Sequence, residues 1–476
     1  MSLASSKSER SPLATPLFRA LWIATVVSNI GTWMHDVGAG WLMTSLSPSP
    51  LMVALVQAAT TLPMFLLALP AGAMADIVDR RWMLLFAQSF GILAAATLAV
   101  LTWLGFTTPA ILLAATFALG VAAALSAPVF QAIVPELVDK AVLPDAIALN
   151  SLGVNIARAI GPALGGVVVA MAGPPAVFAI NSLSVLAVLF VVGRWRREPS
   201  ASRLPPEHFL GALKAGYRYA RRAPALRIVL IRAVGFFIFG SALWAMLPLI
   251  ARRELGLDAA GYGALLGCMG AGAVLGALLL KRIRAKVGSN LLSIGGTLLF
   301  ALVMLSLGRA PNVWVAGGVM VAAGLAWIAM LTSLNAALAL AARNASDLTP
   351  SGHWVEPATA GRVAGDRGPV LVEIEYRIDV SQLSAFVAKL REFKPTRQRD
   401  GAIRWDVWED LEEPGRVVET FVVESWLEHQ RQHARVTRTD QLDQEVINAF
   451  HLGDGGPKVR HLLAPMRPAK PQAHHP

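Results

Sequence analysis

The sequence has little charge and almost no cysteine. Charged side chains make up 15% of its 476 residues, 55% are hydrophobic, and the mean hydropathy is +0.54. Soluble globular chains are nearer to about a quarter charged, so this balance excludes an ordinary soluble protein. The single cysteine, Cys268, excludes an intrachain disulfide, and its Gly-rich apolar setting favours a small packed residue. The sequence contains no nucleotide-binding P-loop, and we predict neither a cofactor nor a metal.

Long apolar runs recur instead, each of about 20 residues and long enough to cross a bilayer. The first run is too long for a signal-peptide core and lacks a clear cleavage site, so we expect it to remain as a membrane helix. The sequence predicts an α-helical membrane protein with ten spans, at 18–43, 52–75, 83–105, 109–135, 147–172, 174–193, 225–250, 260–281, 289–308 and 313–342. This gives a six-helix bundle at 17–193 and a four-helix group at 225–343, separated by a long loop at 194–224.

The basic residues that give the net charge of +11 lie mostly in alternate loops. This distribution follows the positive-inside rule and argues for a lipid bilayer, not nucleic acid, as the partner. It places the tail at 1–16 and the C-terminus in the cytoplasm, with Arg252, Arg253 and Arg309 as exceptions on the other side. In the long loop, "FLGALKAGYRYARRA" is typical of an interfacial amphipathic helix, with a solvated linker helix as the alternative.

Ionisable residues inside membrane helices are costly and therefore mark functional candidates. Asp36 is a candidate proton carrier with His35 beside it, although both would also fit a hydrated vestibule. Arg158, one turn beyond Asn155, is a candidate partner for an anionic substrate group or for Asp36, or else a structural tie. For Arg232 we favour snorkelling to the cytoplasmic face over a cavity role. Further polar or aromatic candidates are Gln57, Gln131, Asn181, Asn335, Trp33, Trp41 and Trp244.

A charged stretch, "GAMADIVDRR", follows the second span. Gly72 would let another helix approach closely, and the small residues in "GPALGG" at 161–166 would do the same in the fifth span. The charges of the stretch would form a breakable latch between helix bundles, or a plain loop that sets topology. These charges belong to Asp76, Asp79, Arg80 and Arg81.

This stretch resembles the loop signature G-x-x-x-D-x-x-G-R-R/K of major facilitator superfamily transporters, with Asp79 in place of the usual Gly. A related Gly-rich basic stretch at 272–288 suggests the two-half repeat of that fold. "GTWMHDVGAGWLMTSL", "SPLMVALVQAATTLPMFLLALPAGAMADIVDRR" and "ALNSLGVNIARAIGPALGG" resemble the enterobactin-exporter-like, or transmembrane secretion effector, branch. The resemblance implies export of a small molecule such as a siderophore or drug from a bacterial cell, driven by proton exchange.

Transporters of this resemblance have twelve membrane helices, whereas this sequence supplies ten. We therefore expect an incomplete second bundle, with lowered stability or activity unless the chain forms a homodimer, either through this bundle or through its C-terminal domain.

The composition changes near residue 344, where a linker at 344–367 precedes a domain at 368–465 and a disordered tail at 466–476. Alternating and helical patterns predict the order β-α-β-β-α-α-β, which suggests a ferredoxin-like fold. The pattern resembles antibiotic-biosynthesis-monooxygenase-like modules. A membrane-anchored enzyme or ligand sensor is therefore the alternative function. His429 and His433 share one helix face, which we interpret as solvated because "HQRQH" lacks the H-E-x-x-H glutamate and Arg431 and Arg435 would repel a cation.

Overall fold

A computed structural model describes residues 11–139, 141–195, 224–344, 367–436, 438–453 and 455–465. The predicted amphipathic helix of the long loop, most of the linker, the C-terminal tail and Lys140 lie outside the described residues. Contacts divide the chain into two units. One unit holds the described residues up to 336 except 224–230, and the other holds 224–230 and the residues from 337 onward.

Six long helices form the first bundle. They are α1 (Pro16–Leu46), α2 (Pro50–Ile77), α3 (Arg80–Trp103), α4 (Pro109–Leu137), α5 (Leu143–Ala172) and α6 (Pro174–Arg194). Several begin with proline in the first turn, where the missing N–H leaves no hydrogen bond unmade. The side chain of Thr108 caps α4 by accepting from the N–H of Ile111.

Four long helices follow the loop. They are α7 (Pro224–Leu249), which continues as a π-helical turn at Ile250–Glu254, α8 (Ala259–Val287), α9 (Ser289–Leu307) and α10 (Val313–Asn344). The described residues after α10 contain no helix of comparable length. The described chain therefore shows the predicted six and four long helices.

Nine of these helices are long and apolar enough to cross a membrane. The exception among the described helices is α1, which has 31 residues but carries Asn29, His35 and Asp36. Large apolar side chains on the other helices are exposed, for example Trp103 (77%) and Phe65 (68%). Such exposure suits contact with lipid, so length and hydropathy together indicate a multi-pass membrane protein.

Glycines allow the helices of this unit to pack at short distances. As predicted for "GPALGG", an added Cβ would lie 2.6 Å from the Trp33 side chain at Gly161 and 2.8 Å from Cα of Met34 at Gly165, both on α1. At Gly166 it would lie 2.8 Å from Cα of Gly263 on α8. The backbones of α5 and α8, one from each half, therefore touch directly.

The C-terminal unit contains an antiparallel sheet with the strand order β2-β3-β1-β4. The strands are β1 (Val370–Arg377), β2 (Arg404–Glu409), β3 (Arg416–Val423) and β4 (Lys458–Leu463), and the helices are α11 (Leu383–Asp400), α12 (Trp426–Arg435) and α13 (Arg438–Asn448). The predicted element order is thus confirmed. Residues of β1 alternate between buried and partly buried, as its sequence predicts.

The core of this unit lies between the sheet and the helices, with Tyr376, Phe386 and Leu390 fully buried. Ser425 is the N-cap of α12, because its Oγ accepts from the N–H of Glu428 at 3.2 Å. On α13, Ile447 is buried, while Leu442 and Val446 are about half exposed.

The solvated interpretation of the "HQRQH" face is wrong for His429, whose exposed fraction is only 1%. Trp426 and His461 pack against its ring, with centroids 5.7 Å and 4.7 Å away. His461 lies on β4, so a strand distant in sequence covers the helix face that the periodicity alone would leave to solvent.

Candidate functional site

A cavity of about 490 Å³ lies within the first bundle. All of its lining residues belong to α1–α6, and most are apolar or small. Its volume falls within the range of small-molecule sites. Within the described residues, the cavity lining includes one charged side chain, Asp36.

His35 and Asp36 reach this cavity from neighbouring positions on α1. His35 is 2% exposed, its ring centroid lies 4.6 Å from that of Phe178, and neither ring nitrogen has a hydrogen-bond partner among the described residues. Asp36 is less deeply buried. An acidic side chain in a bilayer-embedded cavity can bind and release a proton, and an adjacent unpaired imidazole can exchange hydrogen bonds with it or with a ligand.

Neutral polar side chains line the rest of the cavity wall. Gln131 and Asn181 were predicted as candidates and both lie there, and Asn181 Oδ1 accepts from Thr32 Oγ1 at 3.4 Å. Gln88 and Ser126 were missed, although Gln88 Nε2 donates to Ser126 Oγ at 3.0 Å across α3 and α4. The sequence signal for Gln88 and Ser126 was a polar residue in the middle of an otherwise apolar helix.

Arg158 and Asn155 do not line the cavity. The Arg158 guanidinium lies 5.6 Å from the ring centroid of Trp33, and its Nε and Nη1 atoms have no hydrogen-bond partner among the described residues. No ion pair joins Arg158 to Asp36 in the described chain, and the Arg158 carbonyl packs against Gly270 of α8. Asn155 Nδ2 donates to the Ser151 carbonyl of its own helix at 2.9 Å.

The remaining candidates also lie away from the cavity. Arg232 is exposed and donates to Asn290 Oδ1 at 2.9 Å, which ties α7 to α9. Trp33 and Trp244 contact each other, with ring centroids 5.7 Å apart, and Trp41 stacks on Tyr262 at 6.1 Å. Gln57 and Asn335 are not among the lining residues. The aromatic rings therefore contact protein groups in this structure.

The "GAMADIVDRR" stretch makes its described contacts within the first bundle. Asp79 is the N-cap of α3, with Oδ1 accepting from the N–H of Arg81 at 2.9 Å. Arg80 pairs with Glu136 of α4 at 2.6 Å, and Arg81 donates to the Val192 carbonyl of α6 at 3.2 Å. The side chain of Asp76 lies outside the described part of the structure.

The close helix approach predicted at Gly72 is not present. An added Cβ there would meet no described atom within 4 Å. The buried residues of this turn are instead Ala71, Ala73 and Ala75, because the glycine lies on the less crowded face of α2.

Arg252 and Arg253 connect the two halves at the end where α1 ends and α2 begins, a contact that sequence reasoning missed. Arg252 Nη1 donates to Thr44 Oγ1 at 2.8 Å and to Ser45 Oγ at 2.6 Å, and Arg253 Nη2 donates to the Pro48 carbonyl at 2.7 Å. The sequence signal for this contact was that Arg252 and Arg253 depart from the positive-inside pattern.

The chain matches the family described as transmembrane secretion effector over residues 7–342 and 337–469. It is similar to the staphyloferrin A transporter of Staphylococcus aureus (strain NCTC 8325 / PS 47), with 27% identity covering 54% of this chain and 65% of that protein. It is similar to the enterobactin exporter EntS of Escherichia coli O1:K1 / APEC, with 26% identity covering 67% of this chain and 76% of that protein.

A bacterial homologue of the human lysosomal transporter Spinster, solved in an inward-facing and unoccupied conformation, shares the fold. The TM-score is 0.52 at 16% identity, covering 70% of this chain and 76% of that one. The second family match includes the C-terminal unit, so this unit belongs to the family pattern as well. The chain is therefore a multi-pass membrane protein of the transmembrane secretion effector family, within the major facilitator superfamily.

Proposed function

We propose that this protein exports a small molecule of the siderophore or drug class from the bacterial cytoplasm across the inner membrane, in exchange for protons. The observation that carries the proposal is the cavity inside α1–α6, with Asp36 as its charged lining group in the described chain. The named activities of the two relatives support this substrate class. The cavity's amides and hydroxyls suit a polar ligand, and its larger apolar area suits a ligand with an apolar body.

Asp36 is the proposed proton carrier, and His35 is its proposed neighbour in the relay. Proton binding would neutralise the charge of Asp36 and change the affinity of the cavity for a polar ligand. The polar face of α1 supports this role, since a helix with Asn29, His35 and Asp36 crosses a bilayer more favourably when that face lines a cavity. We accordingly propose that α1 also crosses the membrane, in addition to the nine helices that are long and apolar enough to do so.

Alternating access would require contacts between the halves that can open. The three hydrogen bonds of Arg252 and Arg253 suit one gate, since each contributes roughly 1 kcal/mol and can be replaced by water. The "GAMADIVDRR" stretch, with Asp76, remains the proposed latch at the cytoplasmic side. The packed glycines of α5 and α8 would supply the pivot.

We also propose that the second bundle is incomplete. The two family matches overlap at residues 337–342, near the end of α10, and the ten-helix sequence prediction places the loss of a helix pair directly after this helix. A second copy of the chain would then cover the exposed apolar faces that the lost pair would meet. For the C-terminal unit, the strand order and the β-α-β-β-α-α-β sequence support a ferredoxin-like fold.

The experiment that tests this function uses inside-out membrane vesicles that contain the protein. We expect at least one compound from a panel of siderophores and drugs to accumulate when the vesicle interior is acidic, and a protonophore to abolish the accumulation. Vesicles without the protein are the control. Accumulation that is the same with and without the pH gradient would contradict proton exchange. If no compound of the panel accumulates, the proposed export of siderophores or drugs is contradicted.

A further inference from the structure

Three histidine rings meet at one side of the C-terminal sheet. His429 and His433 are four residues apart on α12, and His461 lies on the edge strand β4. Nε2 of His429 lies 3.1 Å from Nε2 of His433, and the His429 and His461 ring centroids are 4.7 Å apart. One nitrogen from each ring lies within 4.8 Å of the others.

A hydrogen bond orients the buried ring of His429. Its Nδ1 lies 3.1 Å from Oε1 of Gln432, an oxygen that only accepts hydrogen bonds. The proton of neutral His429 is therefore on Nδ1, and the Nε2 lone pair faces the other two rings. Metal-bound histidines typically show this arrangement, in which the second ring nitrogen donates to an oxygen that fixes the ring.

The spacing is close to that of a metal site. For a Zn–N distance of about 2.0–2.1 Å and tetrahedral angles, two ligand nitrogens are roughly 3.3 Å apart. The His429–His433 separation of 3.1 Å fits this value already. Because the separations are at most 4.8 Å, the third ring needs to move by at most about 1.5 Å, which rotation of the partly exposed His461 side chain can provide.

Two nearby arginines bear on whether a cation can bind here. The positive charge of Arg397 is paired with Glu419 at 2.9 Å. Arg431 lies two residues beyond His429, roughly 200° around the helix, and so starts from a different face.

We propose that His429, His433 and His461 bind one divalent transition metal ion of the zinc class, with the remaining coordination position open to solvent. Three neutral imidazole nitrogens suit zinc, copper, nickel and cobalt, and not magnesium or calcium. His429 anchors the site from the core, and the two partly exposed rings close on the ion from α12 and β4. This inference concerns the C-terminal unit and does not depend on transport.

The test uses the full-length protein in detergent, without a histidine tag and dialysed against a chelator. Titration with Co²⁺ should give one equivalent bound per chain and the intense visible absorption of tetrahedral or five-coordinate cobalt. Zn²⁺ should displace the cobalt and remove that absorption. Absence of stoichiometric Co²⁺ and Zn²⁺ binding by folded protein would overturn the proposal.

Variants identify the ligands. His433→Asn and His461→Asn, at partly exposed positions, should each lower the affinity for Co²⁺ by roughly tenfold to a hundredfold. His429→Asn should do the same, provided that circular dichroism shows a folded chain. The matched control is the double substitution of His474 and His475 by Asn in the C-terminal tail, which should leave affinity and spectrum unchanged. Unchanged binding in His461→Asn, or loss of binding in the tail control, would overturn the three-histidine assignment.

Discussion

Glu419→Gln should strongly destabilise the C-terminal unit. The Glu419 carboxylate is fully buried on β3, where it accepts from Arg397 Nε and Nη2 at 2.9 and 3.2 Å. It also accepts from Trp405 Nε1 at 2.9 Å and from Tyr376 Oη at 3.2 Å. A glutamine keeps one accepting oxygen but turns two donors toward groups that already donate, and it removes the negative charge of Glu419 from beside the buried guanidinium.

Breaking a buried ion pair from one side costs about 3–5 kcal/mol of unfolding free energy. For a unit of roughly 100 residues, each kcal/mol lowers Tm by about 4–8 °C, so the loss should be at least about 12 °C. Pulse proteolysis across a urea gradient measures the unfolding free energy of this unit in the full-length protein. The control is Glu412→Gln, an exposed change of the same chemistry that should stay within about 0.5 kcal/mol.

A second substitution tests the cause of the loss. Arg397→Met in the Glu419→Gln background removes the positive charge that has lost the Glu419 carboxylate, while keeping much of the side-chain volume. Stability should then recover in part. A Glu419→Gln loss below about 1 kcal/mol would refute the reasoning from the buried pair. A double variant no more stable than the single one would assign the loss to hydrogen bonds and not to charge.

Three further predictions concern acid stability, helix packing and the latch. The hydrogen bond from Arg416 lowers the pKa of Glu375 in the folded protein. The ionised Glu375 therefore stabilises the fold above the pKa of about 4.5 that it has in the unfolded chain, and this stabilisation is lost as the pH falls through its folded pKa. Arg416→Gln should therefore flatten the acid-side loss in pulse proteolysis, and an unchanged profile would contradict this. Gly263→Leu, whose Cβ would lie 2.6 Å from a carbonyl oxygen of α5, should abolish vesicle transport at normal abundance, whereas Gly235→Ala, with no described atom within 4 Å, should not. Asp76→Asn should slow transport more than it lowers abundance, and normal specific activity at collapsed abundance would make the residue merely structural.

The long helices and the strand pattern could be predicted from sequence because each depends on local periodicity. Apolar runs set the helices of the membrane unit, and the alternation of Val372, Ile374 and Tyr376 set β1. The sequence also singled out Asp36 as a candidate, since a carboxylate inside an apolar helix is costly wherever it lies, and the structure places it at the cavity.

Contacts between distant elements could not be predicted in this way. Asp36 and Arg158 are similar as buried charges, but Asp36 faces the cavity and Arg158 faces Trp33. Which helices are neighbours, and how each is rotated, decides this outcome, and periodicity alone does not contain that information. For the same reason the approach of His461 to the α12 histidines could not be predicted, since it depends on the pairing of β4 with β1 at the edge of the sheet.

The measurement that tests the central claim most directly is proton-coupled transport by Asp36→Asn. Asparagine keeps the size of the side chain but cannot bind or release a proton, so uptake into inside-out vesicles should lose its dependence on the pH gradient. The matched control is Asp258→Asn, outside the cavity, where the asparagine oxygen can still accept from the N–H of Gly261. The account predicts gradient-driven uptake in the control and none above the no-gradient level in Asp36→Asn at equal abundance. Full gradient-driven uptake by Asp36→Asn would contradict it.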